Sequence, residues 1–241
     1  MSDSFYEIKP LDTKKDLIKQ PECVKNKVLP KHPFSVIING KSGSGKSILT
    51  QNIIFDERFY GKYFDEIYLV SPTAKSDDIQ KQFNIPETNI FDDLIQAPEQ
   101  IQNILDFQRE NIEKHGIDKS LKICFIFDDC ISDKKFMAKE ILTKLFISCR
   151  HYGASVVLCS QSWTQTQRRC RLQSHMICIF PSSQSEVDLL CDEFTPNGYN
   201  KKDFQRVVEF ATDKPYNFLT IITTYPQKIR YRKNLNDVIN L

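Results

Sequence analysis

The run FSVIING (Phe34–Gly40) is apolar and β-branched. It passes without a break into GKSGSGKS (Gly40–Ser47) and then SILTQNIIF (Ser47–Phe55), whose apolar residues cluster on one helical face. No other feature of the chain constrains its fold so tightly. The first run reads as a buried strand and the last as a helix. The segment between them fits the pattern Gly, four residues, Gly-Lys-Ser/Thr. In that pattern glycines let the backbone wrap with its N–H groups inward, and the helix N-terminus adds partial positive charge. Gly40, Lys41, Ser42, Gly43, Ser44 and Gly45 would then cradle a nucleotide's phosphates. Lys46 would reach the β- and γ-phosphates, and the Ser47 hydroxyl would ligate Mg²⁺. The ordinary alternative is a flexible Gly/Ser turn, and the flanking strand and helix argue against it.

The rest of the chain supplies a sheet for this loop. EIYLVSP (66–72), LKICFIFDDC (121–130), ASVVLCSQS (154–162) and HMICIF (175–180) read as further strands. APEQIQNILDFQRENIEKHG (97–116) reads as a helix opened near Pro98 and ended by Gly116, and DKKFMAKEILTKLFISCRHYG (133–153) as one closed by Gly153. Two more helices are expected around 185–194 and 201–211. YNFLTIITT and QKIRYRK flank Tyr225-Pro226 and are expected to pair as a C-terminal β-hairpin. Strands alternating with helices imply an α/β domain with a mostly parallel sheet and right-handed crossovers. Residues 1–33, punctuated by lysine and proline, read as an extended arm that docks on a neighbour or as a disordered tail. Residues 34–241 form the remaining domain.

Composition excludes some classes. The chain has 241 residues, 40% of them hydrophobic, with a net charge of +2, so any nucleic-acid contact must come from local basic patches. No apolar run approaches the ~20 residues of a membrane span. The N-terminus carries no apolar signal-peptide core. Eight cysteines lack CxxC or zinc-ligand spacing and read as buried small hydrophobes of a reducing, intracellular compartment. The four histidines are dispersed and carry no site.

A second part of the site is legible in ICFIFDDC, a fully apolar strand that ends in Asp128-Asp129. Carboxylates there stand at the carboxyl edge of the sheet, where α/β folds bind ligands. Asp128 would hold Mg²⁺ through its water shell, and Asp129 would orient and deprotonate an attacking water. The next apolar strand ends in Gln161. In an additional-strand ATPase it would lie between the loop strand and the acid strand, so that Gln161 senses the γ-phosphate or the water. A strand-end polar residue in a turn is the plain alternative. A guanine-reading Asn/Thr-Lys-x-Asp run is missing after the acid strand: the one match, Thr13-Lys14-Lys15-Asp16, precedes the loop. QRRCRLQ (167–173) can be read as the Arg-rich lid of a small-molecule kinase.

The ordered set GKSGSGKS, CFIFDDC and CRHYGASVVLCSQS resembles the FtsK/HerA superfamily of DNA-pumping ATPases. Within it the chain looks like the compact genome-packaging ATPases of large DNA viruses, poxvirus-type, and of virophages. The resemblance covers roughly residues 34–182 and implies a RecA-like, additional-strand P-loop fold. It also implies ATP with Mg²⁺, a homo-oligomeric ring of five or six subunits, double-stranded DNA in the channel and a capsid or portal-like vertex partner. The setting it implies is the host cytoplasm or viral factory. Lys46, Ser47, Asp128, Asp129 and Gln161 match the family pattern. The chain departs from it in one place, carrying Asp-Asp where many members have Asp-Glu. Arg150 matches the superfamily arginine that one subunit offers to its neighbour's γ-phosphate; its local reading is a cation capping a helix C-terminus. Two basic clusters could track phosphates: Lys228, Arg230 and Arg232, placed on one face by period two if QKIRYRK is a strand, and Arg168, Arg169 and Arg171 near Trp163. A solvated or subunit-contact face is the alternative for each. A nucleotide-dependent assembly protein without translocation remains a further reading.

Overall fold

The structure is a computed structural model that describes residues 18–74, 84–130 and 133–240. Its centre is a nine-stranded sheet in the order β3-β2-β4-β5-β1-β6-β7-β8-β9. The strands are β1 (Ser35–Asn39), β2 (Glu66–Val70), β3 (Ile90–Phe91), β4 (Ile123–Phe127), β5 (Ala154–Ser160), β6 (Met176–Ile179), β7 (Leu219–Ile222), β8 (Tyr231–Lys233) and β9 (Asp237–Val238). From β3 to β6 neighbouring strands run parallel; β7, β8 and β9 add antiparallel. β5 lies between β1 and β4, as an additional-strand fold requires.

The central strands β1, β4 and β5 are buried along their whole length and mostly apolar, because both faces are covered. Val36 and Ile38 of β1 pack to one side, with Leu49, Ile53 and Ile54 of α2 (Lys46–Phe55). Ile37 packs to the other, with Leu105 of α3 (Ala97–His115) and Leu142 and Leu145 further along the chain. Gly116 closes α3 and Gly153 precedes β5, both at positive φ. The helix expected over 133–153 is instead broken into α4 (Lys134–Met137), α5 (Glu140–Ser148) and a 3-10 turn, Cys149–Tyr152. The break lets Phe136 and Met137 enter the core, and the Gln167 amide donates to the Met137 carbonyl that the break exposes. α6 (Arg168–Gln173), α7 (Gln184–Phe194) and α8 (Lys201–Ala211) complete that layer; the Asn200 side chain caps α8 by accepting from the Asp203 amide at 2.9 Å.

Residues 1–17 of the expected arm lie outside the described residues. The part after them is packed on the sheet: α1 (Glu22–Lys25) buries Cys23 and Val24, and Leu29 is fully buried. Tyr60 and Tyr225 hydroxyls donate to the carbonyls of Pro30 and Leu29, and the Ser155 hydroxyl lies 2.7 Å from His32 Nδ1. All eight cysteines are buried and unpaired. Among the described residues no helix is long and apolar enough to cross a membrane.

The C-terminal hairpin forms, with Leu219 opposite Lys233, but QKIR is not its strand. Gln227–Arg230 make a helical turn, α9, which follows Pro226 as its N-cap, and only Tyr231–Lys233 pair. Lys228, Arg230 and Arg232 therefore do not share a strand face.

Candidate functional site

The loop leaves β1 between two neighbours. Gly40 N–H donates to the Ser160 carbonyl of β5 at 3.0 Å, and Phe180 N–H, just past β6, donates to the Asn39 carbonyl at 2.9 Å. A Cβ on Gly40 would lie 2.6 Å from Ser44 Oγ and 2.7 Å from Phe180 Cβ, so the turn admits only glycine there. Gly45 sits at φ +101, in the left-handed region, and hands the chain into α2. Lys46 opens that helix. Its Nζ donates to the carbonyls of Gly40 at 2.7 Å and Lys41 at 2.9 Å, which closes the loop and leaves a third N–H for an anion.

The acids meet the loop at the same edge. Asp128 and Asp129 directly follow β4, and Asp128 N–H donates to the Val70 carbonyl of β2 at 3.0 Å. Burial, and then the charge of Asp129, push the Asp128 carboxyl above its ordinary pKa, while Lys46 pulls it down. Burial likewise lowers the pKa of Lys46, against the pull of Cys159, Asp128 and Asp129. Desolvation thus outweighs mutual attraction for both charges, as is usual for buried ions. Asp129 adopts φ +53, a left-handed conformation uncommon outside glycine. In it the carboxylate accepts a 2.6 Å hydrogen bond from Gln161 Nε2, at the tip of β5.

A cleft of about 430 Å³ joins these groups. Ser42, Gly43, Gly45, Lys46 and Ser47 line one side, and Asp128, Asp129 and Gln161 the other. Four lining residues, Ile48, Thr73, Cys159 and Tyr216, escaped the reading of the sequence as site residues. Thr73 stands just past the carboxyl end of β2, a position that was a readable signal. Cys159 passes for a core residue of β5, with its Sγ 3.1 Å from Thr50 Oγ1. Tyr216 belongs to a turn in which Asn217 N–H donates to the Lys214 carbonyl, and nothing local marks it.

The Asp128 carboxylate and the Ser47 hydroxyl are hard oxygen donors in one cleft. Among the described residues no group of three His, Cys, Asp or Glu could hold a metal unaided. That donor set fits Mg²⁺, which keeps several waters and borrows phosphate oxygens from its nucleotide.

Other sequence candidates lie elsewhere. Arg150 occupies the 3-10 turn before β5, with Nη2 3.3 Å from His175 Nε2, at the amino edge of the sheet. β5 is seven residues long. Such a strand places Arg150 roughly 20 Å from its own loop. Arg171 is buried, donating to both oxygens of Glu193 and to the carbonyls of Trp163 and Thr166. It is therefore neither a mobile lid residue nor a surface phosphate contact, while Arg168 and Arg169 remain exposed. Arg232 is also buried and donates to the carbonyls of Ile229, Leu235 and Lys27, fastening the hairpin to the N-terminal segment. Lys228 is exposed, and Arg230 is half-buried.

Among solved structures the chain is similar to B204, the DNA-packaging ATPase of Sulfolobus turreted icosahedral virus. The TM-score is 0.60 at 13% identity, with 86% of this chain and 99% of that chain covered. It is also similar to the genome-packaging NTPase B204 of Sulfolobus turreted icosahedral virus 2 in complex with AMPPCP. There the TM-score is 0.55 at 14% identity, covering 78% of this chain and 92% of that one. ATPases 2 and 3 of EssC from Geobacillus thermodenitrificans align with TM-score 0.54 at 11% identity, over 86% of this chain and 40% of that one. At such identities the likeness establishes the P-loop ATPase fold alone. No curated protein matches the chain. Residues 22–225 match the family described as poxvirus A32 protein, and the chain belongs to that family.

Proposed function

We propose that this chain is the ATP-hydrolysing subunit of a motor that moves double-stranded DNA into a viral capsid. The observation that carries the reading is the 2.6 Å bond between Gln161 and Asp129, at the tip of the strand inserted between the loop strand and the acid strand. A carboxylate tied to an amide in a phosphate cleft suits hydrolysis with a sensor for its outcome. Membership of the poxvirus A32 family and likeness to a DNA-packaging ATPase support the cargo.

In this reading the loop from Gly40 to Ser47 holds the phosphates, and Lys46 contacts the β- and γ-phosphates. Asp129 orients and deprotonates the attacking water, and Gln161 responds to the γ-phosphate. Mg²⁺, held by Ser47 and Asp128, would neutralise developing phosphate charge. Arg150 cannot serve its own loop across the sheet; it serves a neighbour's γ-phosphate in a ring of five or six copies. Lys228, Arg230, Arg168 and Arg169 supply phosphate contacts to the duplex, and a capsid or portal-like protein seats the ring in the infected cell's cytoplasm.

The test is ATP hydrolysis with and without duplex DNA. Turnover rises with DNA, and Asp129→Asn keeps ATP affinity while turnover falls about 10²–10⁴-fold. Phosphate delivered to a small acceptor regardless of DNA would mean a kinase. Slow hydrolysis indifferent to DNA would mean an assembly switch. Full turnover in Asp129→Asn would place the base elsewhere.

A further inference from the structure

Beside the phosphate cleft lies a second pocket of about 340 Å³, and the two share Gly45, Ile48 and Tyr216. We propose that this pocket takes the base of the nucleotide whose phosphates sit on the loop, stacked on Tyr216 and held by ring contact more than by hydrogen bonds. The inference rests on reading the loop as an ATP site.

Its walls are apolar. Phe180 and Phe218, with ring centroids 5.0 Å apart, form one side, and Ile48 and Leu49 of α2 another. Tyr216 closes the pocket toward the loop: a Cβ on Gly45 would lie 3.4 Å from Tyr216 Cδ1. This tyrosine is 68% exposed and sits at φ +67, where a bulky residue is an outlier. The turn thus holds an aromatic ring out over the phosphate loop instead of burying it. A flat exposed ring next to a phosphate site offers a base its π-face.

Hydrogen-bonding capacity is sparse. Among the described residues, Asn52 is the one polar side chain on the wall apart from the Tyr216 hydroxyl, and its Nδ2 already donates to the Ile48 carbonyl at 2.8 Å. One N–H and the amide oxygen of this single side chain remain to meet the edge of the base. Stacking area then sets affinity: purines bind better than pyrimidines, and adenine and guanine bind alike.

Calorimetric titration of the full chain with ATP, GTP, CTP and inorganic triphosphate, each with Mg²⁺, tests this. ATP and GTP bind with similar Kd and more tightly than CTP or triphosphate. Asparagine tolerates left-handed φ, so Tyr216→Asn removes the ring without added strain. It weakens ATP about tenfold, within the range of base–aromatic stacking, and leaves triphosphate unchanged. Tyr216→Phe restores ATP binding. The proposal fails if Tyr216→Asn binds ATP like wild type or loses ATP and triphosphate equally. It also fails if the wild type strongly separates ATP from GTP, or binds ATP no better than triphosphate. Failure of the wild type to bind either ATP or triphosphate would overturn the nucleotide site itself, and with it this occupant.

Discussion

The two edges of the sheet hold their charges in opposite ways. At the carboxyl edge Lys46 and Asp128 are 8% and 7% exposed, and burial drives each toward its neutral form. At the amino edge Arg150 is exposed. Burial, and then Arg150, lower the pKa of its neighbour His175 to about 4, so that imidazole is neutral at pH 7. Among the described residues no carboxylate pairs with Arg150. One edge concentrates buried charges of both signs around an open cleft; the other presents an exposed cation with no carboxylate beside it among the described residues. Under the ring proposal, each edge supplies what the other lacks in the next subunit.

Mixing subunits is the strongest way to break that comparison. Arg150→Ala should lower DNA-stimulated turnover on the order of 10³-fold while ATP affinity holds. Lys46→Ala should be inactive through its own loop. Mixed together, the two variants should recover part of the turnover, because an intact Arg150 can face an intact Lys46. Normal turnover in Arg150→Ala alone would leave that arginine a helix-end cation, worth under ~1 kcal/mol.

The contrast of buried and exposed cations recurs in the C-terminal hairpin. Arg232→Ala strands three carbonyls and should cost about 2–4 kcal/mol, read from the denaturant midpoint. Lys228→Gln should leave stability within ~0.5 kcal/mol. It should instead reduce the slope of log affinity for duplex DNA against log salt by about one. An unchanged slope removes α9 from the DNA path.

The smallest effect concerns Asp128. Its folded pKa is raised, so ionising it in the folded state costs stability above that pKa, and the cost vanishes below the unfolded value near 3.8. Asp128→Asn should therefore raise Tm of the nucleotide-free protein at pH 7 by about 2–4 °C. The gain should shrink as pH falls through the carboxylate range, and turnover should be lost throughout. A lower Tm at pH 7 would mean that the Lys46 attraction outweighs burial.

The parallel half of the molecule was legible because its strands are covered on both faces and leave an unbroken apolar imprint, as in Val36–Ile38 and Cys124–Phe127. Loop, acids and Gln161 follow such strands directly, so the sequence placed them at one edge. Legibility failed where the deciding partner is distant. Arg232 looks like a surface cation until its carbonyl partner at Lys27 is seen, 205 residues away. Arg171 hides its pairing with Glu193 in the same way. Leu29 and His32 sit in a lysine-rich stretch whose packing shows through distant partners such as Tyr60, Tyr225 and Ser155. QKIRYRK has strand periodicity, yet Pro226 starts a helical turn that consumes half of it. Tyr216 carries no local signal because its importance comes from facing Gly45.

β5 ties Gln161 at one end to the Arg150 turn at the other, and it is bonded to β1 and β4 along its length. Sliding it by even one residue would rupture both ladders and turn its side chains inside out. It is thus a stiff rod set in a stiff plate. Under the motor proposal, a push on Gln161 at hydrolysis would not be absorbed as strand slippage and would emerge at Arg150 as movement of the whole body. In the proposed ring the compliance would then lie between subunits, and the stroke would be a rocking of one rigid block against the next.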